Sequence, residues 1–389
     1  MRVLHVISTI DAQAGGTTSA LVTLATSQAA AGLGVTVVST FTRADDISPA
    51  DAMRSAGVTV ELIGPATGKL RRHPTLQQRI QRLVEQADIV HIHTLWEEIL
   101  HVAARTAAKL NRRYLFTPHG MLDPWSLSQS KWVKKIYLTW RLSKDLNHAA
   151  AIHFTSQIER DLVRTLKLKP RELIVPNGLD LSEFQHLPPR GTFRQKFNLD
   201  DRPIILFLSR LHPKKGLDQL IPAFARASLP HPILVIAGPS SPDYQRQLEQ
   251  QIRDLHLGNR VVFTGMLRGR ERIEAFVAAD LFVLPSRQEN FGIVVVEAAA
   301  AGCPLLISDQ VNIHREVASA GVGRVCRLGV DSVASELVHM MNDPALRAEV
   351  ARRGPIWAAQ HFDHHVIAQQ WKSIYNEMLG NSVPQPRGR

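Results

Sequence analysis

The stretch that decides the fold of this chain is Pro285-Ser286-Arg287-Gln288-Glu289-Asn290-Phe291-Gly292-Ile293-Val294-Val295-Val296-Glu297. The segment just before it, from Asp280 to Leu284, is of strand length, largely apolar and followed by a proline, which predicts a short buried strand. The segment from Ile293 to Ala301 is too apolar for a surface helix, and Gly302 is a helix stop signal. The stretch therefore predicts a strand, a turn and a buried helix.

The turn between this strand and this helix has the features of an anion site. It would point the backbone N–H groups of Phe291, Gly292 and Ile293 outward from the helix N-terminus, where they lack intrahelical acceptors and the helix dipole adds positive potential. Glu297 interrupts the apolar helix, and a buried glutamate is rare unless it is paired. The vicinal hydroxyls of a ribose would supply two donors to it; the alternative is that Glu297 simply reaches solvent.

Glu289 and Glu297 have a Glu-x7-Glu spacing, set within a strand, Pro-Ser-x-x-Glu, Phe-Gly, a helix and Ala-Gly. This combination resembles the signature of the retaining glycosyltransferases of family 4, which have the GT-B fold. The resemblance implies an α/β protein with two doubly wound Rossmann-like domains and the donor site in the interdomain cleft. It also implies that a sugar is transferred from a nucleoside diphosphate sugar (UDP- or GDP-linked) to a hydroxyl, with the anomeric configuration kept.

The composition fits a globular protein of two domains. A chain of 389 residues is more than one core usually fills, and 44% apolar with 21% charged residues is ordinary for a soluble protein. No stretch approaches the roughly 20 apolar residues of a membrane span, and the N-terminal MRVLHVISTI has no cleavage-type site, so we expect a first strand and a cytoplasmic protein. Cys303 and Cys326 form no CxxC pair, so neither a disulfide framework nor a zinc site is expected.

The net charge of +11 has three candidate explanations: nucleic acid, an acidic membrane surface, or a nucleoside diphosphate. Between Lys131 and Lys144, basic residues alternate with aromatic ones such as Trp132, Tyr137 and Trp140. This pattern is typical of a basic amphipathic helix on an anionic membrane, here the inner face of the membrane; an ordinary solvated helix is an equal alternative. No aromatic-rich recognition motif or zinc finger supports a nucleic-acid partner.

Strands alternate with helices along the whole chain, which predicts parallel sheets. The predicted strands of the first half are Val3–Ile7, Val35–Ser39, Val58–Leu62, Ile89–His93, Tyr114–Thr117 and Ala151–Phe154. The predicted helices between them are Ser19–Ala31, Leu76–Gln86 and Ile99–Asn111. The predicted strands of the second half are Ile204–Ser209, Ile233–Ala237, Val261–Thr264, Leu281–Leu284 and Pro304–Ser308.

A segment from Glu183 to Arg202 collects proline and glycine without apolar periodicity, which is typical of a linker. We therefore expect an N-terminal acceptor-binding domain at 1–187 and a C-terminal nucleotide-sugar-binding domain at 202–365. By the resemblance, the amphipathic segment 366–380 packs back onto the first domain. The tail 381–389 is expected to be disordered.

A basic loop, Ser209-Arg210-Leu211-His212-Pro213-Lys214-Lys215-Gly216-Leu217, follows the first strand of the second half. A loop at the carboxyl end of a strand in a doubly wound sheet faces the ligand crevice. Arg210 can fork two phosphate oxygens, and Lys215 supplies a compact positive charge. The resemblance assigns both residues to the donor diphosphate; a solvated basic turn is the alternative.

The resemblance also assigns roles to the sugar and the base. Glu289 matches the residue that binds the distal hydroxyls of the sugar, and His119 matches a histidine that lies beside the transferred sugar, so these two are the catalytic candidates. The backbone after Gly265 matches the region that meets the nucleobase, and Gly238 borders it. The full set of expected donor contacts is Gly16, Arg210, Lys215, Gly238, Gly265, Met266, Leu267, Glu289, Asn290, Phe291, Gly292, Ile293 and Glu297.

The first domain carries the expected acceptor residues, Gly15, His93 and Trp125. Gly15-Gly16 lies in a loop ahead of a helix expected to begin near Thr17 or Thr18, where glycine lets the backbone approach a ligand closely. The loop Pro118-His119-Gly120-Met121-Leu122-Asp123-Pro124-Trp125 resembles bacterial exopolysaccharide transferases, which implies a glycan or lipid-linked acceptor in polysaccharide biosynthesis.

No metal and no cofactor are expected. His91 and His93 alternate along one strand, and we expect them to face opposite sides of the sheet and so not to share an ion. No Asp-x-Asp motif occurs, and Arg210, Lys215 and the helix N-terminus at Ile293 would replace a divalent ion. Ser156 and Glu159 have the spacing of a capping box.

No carboxylate stands out as a covalent nucleophile, so we expect front-face attack, in which the departing phosphate takes the proton of the acceptor. Two other classes remain open. A GT-B epimerase or phosphorylase is one, although nothing singles out the lysine that pyridoxal phosphate would need. A basic nucleic-acid-binding protein is the other.

Overall fold

In a computed structural model, which describes residues 1–129, 137, 141–229 and 231–380, the chain forms two compact units. The first unit consists of Met1–Gly178 together with the residues from His364 onward, and the second is Leu179–Asp363. The boundary lies earlier than the sequence predicted. Phe184 and Phe193, in the segment taken for the end of one domain and a linker, are buried in the core of the second unit. The tail 381–389 lies outside the described residues.

The first unit is built on a seven-stranded sheet in the order β3-β2-β1-β4-β5-β6-β7, and every strand pair is parallel. Its strands are β1 (Arg2–Ile7), β2 (Gly34–Thr40), β3 (Thr59–Ile63), β4 (Ile89–His93), β5 (Arg113–Thr117), β6 (Ala151–Phe154) and β7 (Arg171–Ile174). The sequence did not predict β7. It is an edge strand with one buried side chain, Leu173, so it lacks the apolar run of the central strands.

Helices and short 3-10 turns connect these strands. Among the described residues, the helices of the first unit are α1 (Gly16–Ala30), α2 (Pro49–Ser55), α3 (Leu76–Gln86), α4 (Glu98–Lys109), α5 (Pro124–Ser128), α6 (Ser143–His148), α7 (Gln157–Val163) and α16 (His364–Met378). The 3-10 turns Ala12–Ala14 and Arg164–Leu166 accompany them. Helix α16 packs against α1 and buries Trp371 and Tyr375 in the core of this unit. Its apolar positions 367, 371 and 375 follow one another at a spacing of one helical turn, which forms this buried face.

The second unit contains a six-stranded sheet in the order β10-β9-β8-β11-β12-β13, again all parallel. Its strands are β8 (Ile204–Leu208), β9 (Ile233–Ala237), β10 (Val261–Gly265), β11 (Leu281–Leu284), β12 (Leu305–Ser308) and β13 (Gly323–Cys326). The sequence did not predict β13, another edge strand that has only Cys326 fully buried.

The helices of the second unit are α8 (Gly191–Lys196), α9 (Leu217–Arg226), α10 (Pro242–Asp254), α11 (Arg270–Ala278), α12 (Ile293–Ala300), α13 (His314–Ala320), α14 (Val330–Asn342) and α15 (Pro344–Phe362). Two 3-10 turns, Leu181–Phe184 and Pro213–Lys215, also occur. Helix α12 is the buried helix of the opening stretch. It packs on α15, where Gly354 lies so close to Ala299 that a Cβ at Gly354 would stand 2.5 Å from the carbonyl oxygen of Ala299.

Each sheet has one point where the strand order reverses. In the first unit the chain runs outward from β1 to β3 on one side and resumes at β4 on the other side of β1. In the second unit the same reversal separates β8 from β11. Loops that leave the carboxyl ends of the strands diverge at such a point and open a crevice for a ligand. The loops after β1, β4, β8 and β11 therefore define where a site is expected in each unit.

The segment that suggested a membrane-bound helix is only partly described. The residues outside the described part of the chain include Lys131, Trp132, Lys134, Lys135 and Trp140. The amphipathic membrane helix therefore stays a prediction. At its end, Arg141 is engaged by Glu98 of α4, with 2.6 Å between the guanidinium and carboxylate atoms. Among the described residues, no helix has both the length and the apolar character to cross a membrane.

Candidate active site

The N-terminus of α12 is shaped by a glycine. Gly292 is its N-cap and has φ 76°, a left-handed conformation that glycine adopts without steric cost. The Phe291 side chain, 4% exposed, packs into the core against Phe362, so only its backbone can face a ligand. Ile293 and Asn290 on either side of this turn are partly exposed. The helix begins at Ile293, as the sequence predicted, and the turn before it is anchored by an aromatic side chain that the sequence did not suggest.

Glu297, on the second turn of α12, is 7% exposed and forms an ion pair with Arg272 of α11. Arg272 also contacts Glu183, with 3.4 Å between nitrogen and oxygen. Burial raises the pKa of Glu297, and Arg272 opposes that rise. The carboxylate therefore does not end at solvent. Arg272 was not singled out in the sequence, because nothing there shows that α11 faces α12.

The loops after β8 and β11 are joined directly. Lys215 forms an ion pair with Glu289, and both side chains are mostly buried, 13% and 17% exposed. One residue earlier, the carbonyl of Lys214 accepts a hydrogen bond from the backbone N–H of Arg287 at 2.8 Å. Two residues that the sequence assigned separately, a cation and a carboxylate, thus meet at the reversal point of the sheet.

A third loop holds Glu289 from the other side. Its backbone N–H donates to the carbonyl of Gln310 and its carbonyl accepts from the N–H of Asn312, both at 3.0 Å. These bonds bridge the loop after β11 to the loop after β12. Because its backbone is fixed on both sides, Glu289 has a defined position at the sheet edge.

Two glycines allow the backbone of this edge to pack closely. A Cβ on Gly216, whose φ is 76°, would lie 1.9 Å from the carbonyl oxygen of Pro285. A Cβ on Gly238 would lie 1.9 Å from the carbonyl oxygen of Ser209. Neither distance is compatible with a side chain, so both positions require glycine. Arg210, which follows Ser209, is exposed at the end of β8.

The residues expected near a base lie at the ends of β9 and β10. Gly238 donates its N–H to the carbonyl of Gly265 at 2.8 Å, which brings these two strand ends together. Gly265 and Met266 are exposed, and Met266 exposes 51% of its surface. Leu267 differs, since its side chain is 7% exposed and belongs to the core, so only its backbone is available to a ligand.

In the first unit, the glycine loop follows β1 at the reversal point. Gly15 has φ 86° and is the N-cap of α1, which begins at Gly16, slightly earlier than predicted. A Cβ on Gly16 would meet no atom within 4 Å, so the helix start is open. Trp125, at the start of α5, is 40% exposed.

His119 follows β5 and has φ 51°, which is uncommon for a residue with a side chain. The next residue, Gly120, donates its N–H to Glu159 at 2.6 Å. Ser156 accepts from the N–H of Glu159, as in a capping box, but the Glu159 carboxylate reaches Gly120 and Thr155 rather than only the start of its own helix. Glu159 therefore also holds the His119 loop, which the sequence did not suggest.

The expectation that His91 and His93 face opposite sides of the sheet is wrong. Residues two apart on a strand share a face, and the two rings stack with centroids 4.2 Å apart. With His5 of β1 they form a group of three buried histidines whose ring nitrogens lie within 4.8 Å of one another. His93 is 2% exposed and its Nδ1 lies 3.1 Å from Nε2 of His119, so its ring is buried and hydrogen-bonded to His119.

The histidines of this region are held in their neutral form. Burial lowers the pKa of His5 to about 4, that of His119 to about 3 and that of His153 to about 4. Burial, together with the neighbouring histidines, lowers the pKa of His91 and His93 well below the usual value. Each ring therefore offers one N–H and one lone pair at neutral pH.

Comparison with known proteins identifies the class of this architecture. Residues 189–357 match the family Glycosyl transferases group 1, and residues 15–178 match the Glycosyl transferase 4-like domain. The chain belongs to glycosyltransferase family 4 and has the GT-B fold. It is therefore an enzyme, a glycosyltransferase.

Three known proteins illustrate the range of similarity. The chain is 28% identical, over 77% of its length and 78% of the other, to a GDP-mannose-dependent alpha-(1-6)-phosphatidylinositol monomannoside mannosyltransferase of Mycolicibacterium smegmatis. It is 30% identical, over 67% of its length and 54% of the other, to the phosphatidylinositol N-acetylglucosaminyltransferase gpi3 subunit of Schizosaccharomyces pombe. The structure of HepE from Anabaena, in complex with UDP, has a TM-score of 0.81 at 22% identity and covers 97% of this chain and 100% of HepE.

The close approach at Gly216 leads to a prediction about stability. Replacing Gly216 by Ala should lower the free energy of unfolding by about 2–5 kcal/mol, since a left-handed conformation costs a non-glycine residue about 1–2 kcal/mol and overpacking about 1–3 kcal/mol. Gly258→Ala is the control, because a Cβ there meets nothing within 4 Å. Urea unfolding of the two variants measures the difference, and equal stability would contradict the contact with Pro285.

Proposed function

We propose that this enzyme transfers a sugar from a UDP- or GDP-linked donor to a hydroxyl of a glycan or lipid-linked acceptor, with retention of the anomeric configuration. The observation that carries the proposal is the pair Lys215–Glu289 at the reversal point of the second sheet. It puts a cation suited to phosphate beside a carboxylate suited to sugar hydroxyls.

The diphosphate of the donor would be bound by Arg210, Lys215 and the N-terminus of α12. When the glycosidic bond to the phosphate breaks, the electron pair leaves with the nucleoside diphosphate, and its growing negative charge needs nearby positive groups. An exposed guanidinium, a largely buried ammonium and the N–H groups at Gly292 and Ile293 supply them. We propose on this ground that transfer needs no divalent ion.

The sugar would be held by Glu289 and His119, the two catalytic candidates. Glu289 has a fixed backbone, so once a donor phosphate engages Lys215 its carboxylate becomes available to the distal hydroxyls. His119 is neutral and can hydrogen-bond a sugar hydroxyl without adding positive charge. The acceptor hydroxyl attacks the front face, and the departing phosphate takes its proton.

The nucleoside would be held by Glu297 and by the ends of β9 and β10. Glu297 lies in a buried position where ribose hydroxyls could donate to it, and Arg272 opposes the rise in its pKa that burial causes. For the base, the proposal uses the backbone of Gly238, Gly265 and Leu267 and the exposed Met266.

The acceptor is proposed to approach Gly15 and Trp125 of the first unit. Both sequence relatives are named for phosphatidylinositol substrates, which supports a lipid-linked acceptor here as well. The net charge of +11 is consistent with an enzyme that works at the cytoplasmic, anionic face of a membrane. We further propose a role in polysaccharide biosynthesis.

The diphosphate assignment predicts the effect of two substitutions. Arg210→Ala and Lys215→Ala should each lower nucleoside diphosphate affinity and transfer by about 10- to 100-fold, because each removes a charge-assisted contact of about 1.5–3 kcal/mol. Arg226→Ala is the control, since Arg226 is exposed on α9 and pairs with the equally exposed Asp331. Calorimetric titration with UDP and GDP gives the affinities. Wild-type affinity and transfer in both variants would reject the assigned diphosphate site.

The ribose assignment predicts a difference between the partners of one ion pair. Glu297→Gln removes the carboxylate, whereas Arg272→Lys keeps the carboxylate with a cation beside it on α11. We expect the nucleoside diphosphate affinity of Glu297→Gln to fall by at least about tenfold and that of Arg272→Lys to fall much less. Equal affinities in the two variants, measured by the same titration, would return Glu297 to a purely structural role.

A further inference from the structure

The buried histidines of the first unit form a connected hydrogen-bond chain. Their proximity could also suggest a metal site at His5, His91 and His93. However, all six ring nitrogens of these residues already have hydrogen-bond partners. A metal would have to replace several of these bonds, so the geometry favours a hydrogen-bonded chain over a metal centre.

One end of the chain lies at a backbone carbonyl. Nε2 of His153 is 2.7 Å from the carbonyl oxygen of Val175, and Nδ1 of His153 is 2.8 Å from Oγ1 of Thr117. The same hydroxyl lies 2.6 Å from Nε2 of His91, whose Nδ1 is 2.7 Å from the hydroxyl of Tyr375 on α16. The side chains of this half are at most 4% exposed.

The other half continues from Tyr375 to His119. The amide of Gln28 on α1 donates to the Tyr375 hydroxyl at 3.2 Å, and its Oε1 lies 2.8 Å from Nε2 of His5. Nδ1 of His5 is 2.9 Å from Nε2 of His93, and Nδ1 of His93 is 3.1 Å from Nε2 of His119.

The direction of every bond follows from the carbonyl end. A carbonyl only accepts, so His153 donates through Nε2 and, being neutral, accepts at Nδ1 from the hydroxyl of Thr117. That hydroxyl must then accept from Nε2–H of His91, and His91 accepts at Nδ1 from Tyr375. With its hydrogen used, Tyr375 accepts from the Gln28 amide.

The same reasoning sets the second half. Oε1 of Gln28 accepts from Nε2–H of His5, which accepts at Nδ1 from Nε2–H of His93. His93 in turn accepts at Nδ1 from Nε2–H of His119. All five imidazoles are thus Nε2–H tautomers, and all their donors point the same way along the chain.

We propose that Gln28 and Tyr375 are positioning residues that fix His119 as the Nε2–H tautomer and so present its Nδ1 as a hydrogen-bond acceptor. Among the described residues, no hydrogen bond occupies this Nδ1. The loop that carries it is held by the bond from Gly120 to Glu159. A sugar hydroxyl would therefore be a donor to His119 and could not be an acceptor from it. This last consequence rests on the proposed function; the tautomer itself does not.

The hydrogen-bond chain predicts that a substitution at its midpoint changes the tautomers of some histidines and not of others. Tyr375→Phe removes the hydroxyl that sets the orientation of the Gln28 amide, so this amide can turn and donate to His5. We expect His5, His93 and His119 to gain an Nδ1–H population, while His91 and His153, which are fixed from Val175, keep the proton on Nε2. Long-range proton–nitrogen correlation spectra of protein labelled with ¹⁵N-histidine distinguish the two tautomers.

A second variant and a control complete the experiment. Gln28→Leu removes the acceptor of His5 and should redistribute the same three rings, which keeps the test possible if Tyr375→Phe folds poorly. Trp371→Phe is the control, since Trp371 lies on the same helix and packs against the rings of His91 and His153, yet takes part in no bond of the chain. Its spectra should match the wild type. An Nδ1–H tautomer at any of the five rings in the wild type, or stoichiometric Zn²⁺ binding that His5→Gln abolishes, would overturn the proposal.

Kinetics separate this proposal from the proposed function. Tyr375→Phe should lower kcat by about two- to tenfold, the loss of one hydrogen bond in the transition state, with nucleoside diphosphate affinity unchanged. If the tautomers redistribute and kcat stays at the wild-type value, the hydrogen-bond chain sets the tautomers as proposed, but the proposed contact between His119 and the sugar is wrong. If the tautomers do not redistribute, the chain does not set them and the proposal fails, whatever the activity.

Discussion

The parallel direction of every strand pair is the constraint on which the rest of the structure depends. In a parallel sheet all carboxyl ends share one edge, so each loop that follows a strand emerges there. In the second unit this collects Lys215 after β8, Glu289 after β11 and the bridging loop after β12. In the first unit it collects the glycine loop, His93 and His119. The shared edge of each sheet thus brings residues that are far apart in sequence close together in the fold.

The charged side chains at the candidate site of the second unit form ion pairs, and a bound donor could replace the contacts within these pairs. Glu289 and Glu297, the two carboxylates of the opening stretch, each have a cationic partner, Lys215 and Arg272. A buried carboxylate without such a partner would be protonated or would destabilise the fold. The pairs therefore place a cation beside each carboxylate of the opening stretch. A diphosphate that engages Lys215 and a ribose that donates to Glu297 would replace one set of favourable contacts by another.

Much of this could be predicted from sequence, for identifiable reasons. Central strands such as β9 and β11 are buried along their whole length and appear as continuous apolar runs, so their bounds were predicted to the residue. Edge strands β7 and β13 are half exposed and were missed. The Glu-x7-Glu stretch indicated its buried helix because Pro285 marks the end of the preceding strand and Gly302 marks the end of the helix. Arg272 and Tyr375 could not be found, since their importance arises from helices that meet only in the folded chain.

The measurement that tests the account most directly is nucleoside diphosphate release from a panel of UDP- and GDP-sugars, with and without a chelator of divalent ions. The account predicts that at least one donor is turned over in the presence of a glycan or lipid-linked acceptor, that the chelator does not abolish release, and that the product keeps the anomeric configuration of the donor. Release that requires a divalent ion, a product of inverted configuration, or no release from any donor and acceptor pair would contradict it.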